Sequence, residues 1–250
     1  MAEAGHGKRA GAPDSGSSFV LIVDSDAQNL VFLSMIVQRL DYKTATALGV
    51  GKALEIANDT APSLVIAELN LRGLNGLDLL ERLRQKPGAR AVPVIIMTRE
   101  LTSGLEQQCR GAGAVACLEK PVQVNALYQA IDPIMSPGSR RKDLRIRTRL
   151  SVTVDDRPLD CVDDECATNL SVNGMYLRTL RSNPVNSQVL VRAALNGQEI
   201  EAKARVVYCQ GPDAGQSGLW GIGLQFLETS PQAAEIIRRF INDEVTHGME

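Results

Sequence analysis

The sequence predicts two folded domains in series: an α/β doubly wound, parallel, five-stranded domain, then an all-β, six-stranded barrel that ends in a C-terminal helix. Three observations carry this. From Phe19 to about Met135, short β-branched runs alternate with leucines at helical spacing. The pattern then breaks at SPGSRRK (136–142), where Pro137 and Gly138 end the helical period and charge appears abruptly. After Arg149 come six short strand-like runs separated by turn signals such as Asn196–Gly197. A chain of 250 residues is long for one core and sufficient for two.

Residues 1–18 are rich in Gly, Ala and Ser without apolar period, and read as a disordered tail. In the first domain, 19–135, strands are predicted over 19–23, 42–46, 64–67, 94–98 and 115–118. Between them Leu30, Leu33, Ile36, Val37 and Leu40 repeat at helical spacing, as do Leu77, Leu80 and Leu83, and then Val124, Leu127 and Ile131. Such βαβ order places any site at the carboxyl ends of the strands. A linker is expected over 136–149. The barrel domain, 150–242, has strands predicted over 151–154, 166–170, 175–178, 189–194, 200–208 and 220–226. Its last helix begins with Ser230 as N-cap and Pro231 in the first turn, burying Ala233, Ile236, Ile237 and Phe240, and leaves 243–250 as a tail.

A net charge of −2 gives no whole-protein field toward nucleic acid or membrane. Basic character is local: Arg140, Arg141, Lys142, Arg145, Arg147 and Arg149 stand against Asp143 alone within 140–149. Five cysteines without a CxxC pair, and no secretory signal, imply a reduced, cytoplasmic setting. His6 and His247 are the only histidines, which disfavours His-based metal sites and Ser/His or Cys/His catalytic pairs. Asp155, Asp156, Asp163, Asp164 and Glu165 sit in turn-like stretches without ligand spacing, so no enzyme, cofactor or metal is expected. No apolar run approaches the ~20 residues that span a bilayer.

The most specific chemistry is RRKDLR (140–145) followed by NLSVNG (169–174). Arginine offers a planar fork for phosphate or for a guanine edge, and its face stacks on bases. Asn169 and Ser171 can complete the reading of a base edge, and Gly174 carries no Cβ. In this order the motifs resemble the RxxxR and (D/N)xSxxG signature of PilZ domains, receptors for the second messenger cyclic di-GMP. The resemblance covers 139–242 and includes GIGLQFLE (221–228), similar to the family's GxGxxF strand. It implies that Arg141 and Arg145 wrap over the ligand from the linker while Asn169, Ser171 and Gly174 meet it on the barrel. It also implies that a basic residue before RxxxR, here Arg140, favours an intercalated ligand dimer. Arg147 and Arg149 alternate with Ile146 and Thr148, which puts both on one face of an extended segment leading into the barrel, where a phosphate contact and a solvated strand edge stay equally open. Trp220 and Tyr176 could stack a base but read more readily as core. Ligand closure of this hinge would then re-orient the first domain.

LIVDSDAQN, LVIAELNLRGLNGLDLLERLR, PVIIMT and EKP, in that order within 19–134, resemble response-regulator receivers. Receivers accept a phosphoryl group on an aspartate after the third strand, with two acids after the first strand helping to hold Mg²⁺. Here Asp24 matches the first acid, but Ser25 stands at the second and Glu68 at the acceptor; Thr98 and Lys120–Pro121 match, and Cys117 replaces the switch aromatic. Asp26 falls at the start of the following helix. The departures imply a receiver that is not phosphorylated, with Glu68 paired to Lys120. Leu118, Val122, Leu127 and Tyr128 are candidates for a homo-oligomer or protein-docking face, although most of them read as core. Two other readings stay open, a protein adaptor and a DNA-binding response regulator not governed by cyclic di-GMP; the absence of a predicted recognition helix disfavours nucleic acid.

Overall fold

The structure is a computed structural model that describes residues 18–85, 92–139, 142–159, 166–211 and 218–248. The expected tail up to 17 lies outside them, as do Arg140, Arg141, Cys161, Asp163, Asp164 and Glu165.

Five parallel strands, β1 (Val20–Asp24), β2 (Thr44–Leu48), β3 (Leu64–Glu68), β4 (Val94–Thr98) and β5 (Ala116–Glu119), form the first sheet in the order β2-β1-β3-β4-β5. This is a doubly wound order whose switch point lies between β1 and β3, where crevices open beyond the strand ends. β1, β3 and β4 are buried at every residue, as parallel strands covered on both faces must be. The helices are α1 (Ala27–Arg39), α2 (Val50–Asp59), α3 (Gly76–Arg84), α4 (Ser103–Ala112) and α5 (Val124–Met135). Local capping fixes where three of them start. Asp26 accepts from Gln28 N, Thr102 accepts from Leu105 N, and Asn75 and Asp78 form a reciprocal capping box.

The second sheet holds eight antiparallel strands, not six. They are β6 (Ile146–Leu150), β7 (Val152–Val154), β8 (Arg157–Pro158), β9 (Cys166–Ser171), β10 (Gly174–Thr179), β11 (Gln188–Leu195), β12 (Gln198–Gln210) and β13 (Trp220–Thr229), ordered β6-β9-β10-β13-β12-β11-β7-β8. The two additions escaped the sequence reading for different reasons. β8 is only two residues long, and β6, although its alternation reads as an extended segment, was assigned to the linker because of its arginines. In β6 the apolar Ile146 faces the core while Arg147 and Arg149 face outward, so the charge marks an exposed strand face and not a linker. The connecting segment therefore ends before Ile146. At the other end, α6 (Pro231–Thr246) runs past the expected tail boundary and buries Ile241 and Val245 beside the predicted Ala233, Ile236, Ile237 and Phe240.

The two halves share apolar core. One continuous cluster runs from Val20 and Ile22 through Leu127 and Ile131 on α5 to Ile237 and Phe240 on α6 and on into the second sheet. Polar contacts cross the same junction: Asn242 on α6 accepts from Val124 N at 3.3 Å, satisfying a first-turn donor of α5, and Arg39 on α1 donates to Val245 O. This packing places the docking-face candidates in the core, the reading favoured for most of them. Val122, Leu127 and Tyr128 are buried and Leu118 is half-buried, because α5 serves both the first sheet and α6.

Candidate functional site

Two residue clusters were singled out in the sequence, and their described members come together near strand ends. In the β sheet, a cleft of about 360 Å³ opens between residues 142–145 and the β9–β10 turn. Arg145, Asn169, Ser171 and Gly174 all line it, so four predicted residues separated by up to 29 positions in sequence meet in one place. Arg145 is exposed at its mouth. Ser171 is buried, and its hydroxyl donates to Gly174 O at 3.1 Å, closing the turn. The hydroxyl commits its proton to this bond, and the Ser171 oxygen keeps its acceptor capacity.

Gly174 has a physical reason within the sheet itself. A Cβ there would lie 2.2 Å from the backbone oxygen of Leu224, so the glycine lets β10 and β13 approach each other.

One cross-strand row explains the wall of the cleft. Asn169 pairs with Tyr176, Tyr176 with Gly223, and Gly223 with Tyr208 across β9, β10, β13 and β12. Paired residues share a face of the sheet. Because Gly223 has no side chain, the rings of Tyr176 and Tyr208 meet over it, 6.0 Å apart and only 12° from parallel. A Cβ on Gly223 would stand 2.5 Å from Tyr208 Cδ1. Burial, then the contact with Tyr176, pushes the Tyr208 phenol up to about 12, while the Arg145 charge pulls it the other way. Arginine and aromatic wall are thus within electrostatic reach of each other.

Tyr208 was missed by sequence reasoning. Strict alternation along β12 buries Ile200, Ala202, Ala204 and Val206 and would send residue 208 inward as well. A register shift between Val206 and Tyr208 inserts one residue and turns the ring outward, the usual effect of a β-bulge beside a site. The signal available was the GxG of 221–223, small residues where two neighbouring rings needed room. Trp220, by contrast, packs partly buried against the core and does not line the cleft.

At the carboxyl ends of β1, β3 and β5 lies the second site. Lys120 Nζ is 2.7 Å from Asp24 Oδ2 and also ion-paired to Glu68. The exposed fractions of these side chains are 15%, 3% and 7% in the order Lys120, Asp24, Glu68. Asp24 Oδ1 further accepts from Asp26 N, whose own carboxylate is occupied in capping α1. Ser25 supplies no carboxylate, and the Thr98 hydroxyl donates to Glu100 O at 3.2 Å. This donor set does not suit Mg²⁺, which needs several hard oxygen ligands; an ammonium already bridges the two acids present. Among the described residues no group of three or more His, Cys, Asp or Glu is arranged to hold a metal. At the switch position, Cys117 Sγ lies 3.5 Å from the buried Cys109 Sγ. Burial first, then that neighbour, pushes the Cys117 thiol up to about 12, which keeps it a weak nucleophile.

Comparison with known proteins gives two adjoining matches. Residues 20–132 match the family model of the response regulator receiver domain, and residues 139–243 match that of the PilZ domain. The sensory/regulatory protein RpfC of Xanthomonas campestris is 31% identical over 114 residues, which is 45% of this chain and 16% of that protein. The probable chemotaxis protein CheY of Rhizobium etli is 28% identical over 116 residues, 46% of this chain and 90% of that one. Among solved structures, chemotaxis protein CheY4 of Vibrio cholerae aligns with 48% of this chain and 99% of its own, at 22% identity and a TM-score of 0.44. The chain thus spans about a sixth of the length of the RpfC sensor. Among the described residues no helix is long and apolar enough to cross a membrane.

Proposed function

Because the chain joins a response regulator receiver domain to a PilZ domain, we propose that it is a regulatory protein in which cyclic di-GMP, bound at the β-sheet cleft, re-orients a receiver that does not itself take up phosphoryl groups. PilZ domains bind cyclic di-GMP and receiver domains serve signalling, so both halves are regulatory and not catalytic. The observation that carries the reading is the convergence of Arg145, Asn169 and Ser171 on one cleft with an aromatic wall.

Cyclic di-GMP brings two phosphates and two guanines. Arg145, with Arg141 preceding it in the motif, supplies charge-assisted hydrogen bonds to phosphate and guanine edges. Asn169 and Ser171 meet a base edge that would otherwise be buried unpaired. The Tyr176–Tyr208 pair offers a face for stacking. Arg140 supports binding as an intercalated dimer, because a further guanidinium can cover a second guanine. Closing of the segment over the ligand is the signal, with its energy limited to the ligand's differential affinity for the closed form. In the receiver, Lys120 bridging Asp24 and Glu68 supports a fixed, unphosphorylated state.

Titration calorimetry with cyclic di-GMP tests this. Wild type should bind at micromolar ligand or below, with two ligands per chain if the dimer forms. Arg145→Ala should weaken binding at least about tenfold, since hydrogen bonds to charged groups contribute ~1.5–3 kcal/mol. No heat with wild type would overturn the reading, and an unchanged affinity in the variant would remove Arg145 from the site.

A further inference from the structure

The segment that carries RxxxR touches the receiver as closely as it touches the PilZ domain. Asp143 sits between the two arginines of the motif, and its carboxylate is shared. Oδ1 accepts from Gln129 Nε2 on receiver helix α5 at 3.0 Å, and Oδ2 accepts from Asn173 Nδ2 in the β9–β10 turn at 2.8 Å. The next residue, Leu144, is buried, and its backbone N–H donates to Asn125 Oδ1 on α5 at 3.0 Å. Asn125 and Gln129 are four residues apart, on one face of the helix. The opposite face, through Leu127 and Ile131, is fixed in the shared core.

We infer that receiver helix α5 is part of the ligand-binding apparatus: Asn125 and Gln129 are positioning residues that hold 143–144 so that Arg145 stands at the cleft, although neither side chain lines it. This deepens the cyclic di-GMP reading and rests on it. The anchored segment already places Lys142, Asp143 and Arg145 along the cleft together with Asn169 and Ser171. The anchored arrangement is therefore the closed, ligand-ready member of the two that the hinge reading requires, and the anchors lower the ordering cost of binding. By linkage, whatever strengthens the α5 contact strengthens ligand binding, and ligand strengthens the α5 contact by the same factor. The receiver thereby tunes a second-messenger site through its last helix, without phosphorylation and without touching the ligand.

Two measurements on the full chain test the assignment. The first needs no ligand: exchange of the Leu144 amide should be slowed in wild type, markedly faster in Asn125→Ala, and slowed again in Asn125→Asp, which keeps the oxygen acceptor. The second is the cyclic di-GMP titration. Asn125→Ala and Gln129→Ala should each weaken binding about three- to tenfold, Asn125→Asp should recover most of the loss relative to Asn125→Ala, and Gln129→Glu, which sets a carboxylate against Asp143, should weaken it more than Gln129→Ala. Recovery in Asn125→Asp separates positioning from general loss of packing. Equal or tighter binding in both alanine variants, with wild type binding normally, would overturn the inference and leave the ligand reading standing. A wild type that does not bind removes the ligand reading and the inference with it, whereas the amide exchange still reports whether α5 anchors the segment.

Discussion

Glu68 is ion-paired to Lys120, and the same ammonium reaches Asp24 at 2.7 Å, so one cation from the end of β5 joins the ends of β1 and β3. The three side chains are nearly excluded from water, and removing the cation alone leaves two buried acids facing each other. Lys120→Met should destabilise the protein by about 3 kcal/mol or more, in line with breaking buried pairs from one side. Urea unfolding would measure it. Adding Glu68→Gln to that variant should recover part of the loss, because the two sites are coupled; strict additivity would show that the pair has little structural weight.

The same geometry predicts the outcome of phosphorylation assays. Glu68 places its carboxylate one methylene further out than an aspartate would, onto Lys120, and Ser25 leaves the acidic set one member short. Acetyl phosphate with Mg²⁺ should therefore add no phosphoryl mass to wild type. Glu68→Asp alone should also stay unlabelled, since the acid missing at position 25 is still missing. Ser25→Asp combined with Glu68→Asp should acquire label. Label on the wild-type receiver would refute the proposed fixed state.

Gly174 separates a structural from a ligand-based reading of the NxSxxG motif. The site of a Cβ there is filled by the Leu224 carbonyl, a backbone atom that no side-chain rotation can move away. Gly174→Ala should cost about 1–3 kcal/mol, the range for forcing extra volume into packed structure. Gly51 is the control: it lies in α2 with nothing within 4 Å of a Cβ, and Gly51→Ala should be neutral or stabilising by ~0.5–1 kcal/mol. Thermal unfolding of the two variants beside wild type gives the comparison.

Tyr208 should matter to ligand and hardly to fold. It is 41% exposed, turned outward by the bulge in β12, and stacked on Tyr176. Stacking of a base on an aromatic side chain contributes ~1–3 kcal/mol, so Tyr208→Ala should weaken cyclic di-GMP binding by roughly five- to a hundredfold. Tyr208→Phe should retain most of the affinity. A Tyr208→Ala variant that binds as wild type does would place the bases elsewhere.

What the sequence made legible follows from how local each signal is. The parallel sheet and the order of the receiver motifs could be read because β1, β3 and β4 are nearly unbroken apolar runs, while β2 and β5 at the sheet edges carry a weaker signal. Arg145, Asn169, Ser171 and Gly174 could be read because RxxxR and NxSxxG are compact patterns. Tyr208 could not, since a single inserted residue at Val206–Tyr208 reverses which face every later residue of β12 takes. Strand β6 was obscured for the opposite reason: its pattern was present, but outward arginines made it look like a linker. The Asn125 and Gln129 contacts join residues of two domains, and no local pattern carries such a pairing.

Tyr42 gives the alkaline limit of stability a specific origin. Its hydroxyl donates to Asp132 Oδ1 on α5 at 3.1 Å, and Asp132 is buried. Burial first, opposed by Ser136 and reinforced by Asp132, pushes the phenol up to about 12 from an ordinary 10. The folded state thus holds this proton more tightly than the unfolded chain. Its contribution is fully present below pH 10 and is lost as pH rises toward 12. Tyr42→Phe has no proton to lose, but it leaves the Asp132 oxygen without this donor, at a cost of about 1–3 kcal/mol near neutral pH. Urea unfolding of both proteins from pH 8 to 12 should therefore give a stability difference that is constant up to about pH 10 and shrinks beyond it. Lysines and the other tyrosines titrate in the same range, yet they are common to both proteins and cancel in the difference. A difference that stays flat to pH 12 would mean that Tyr42 ionises in the folded protein as readily as in the unfolded chain.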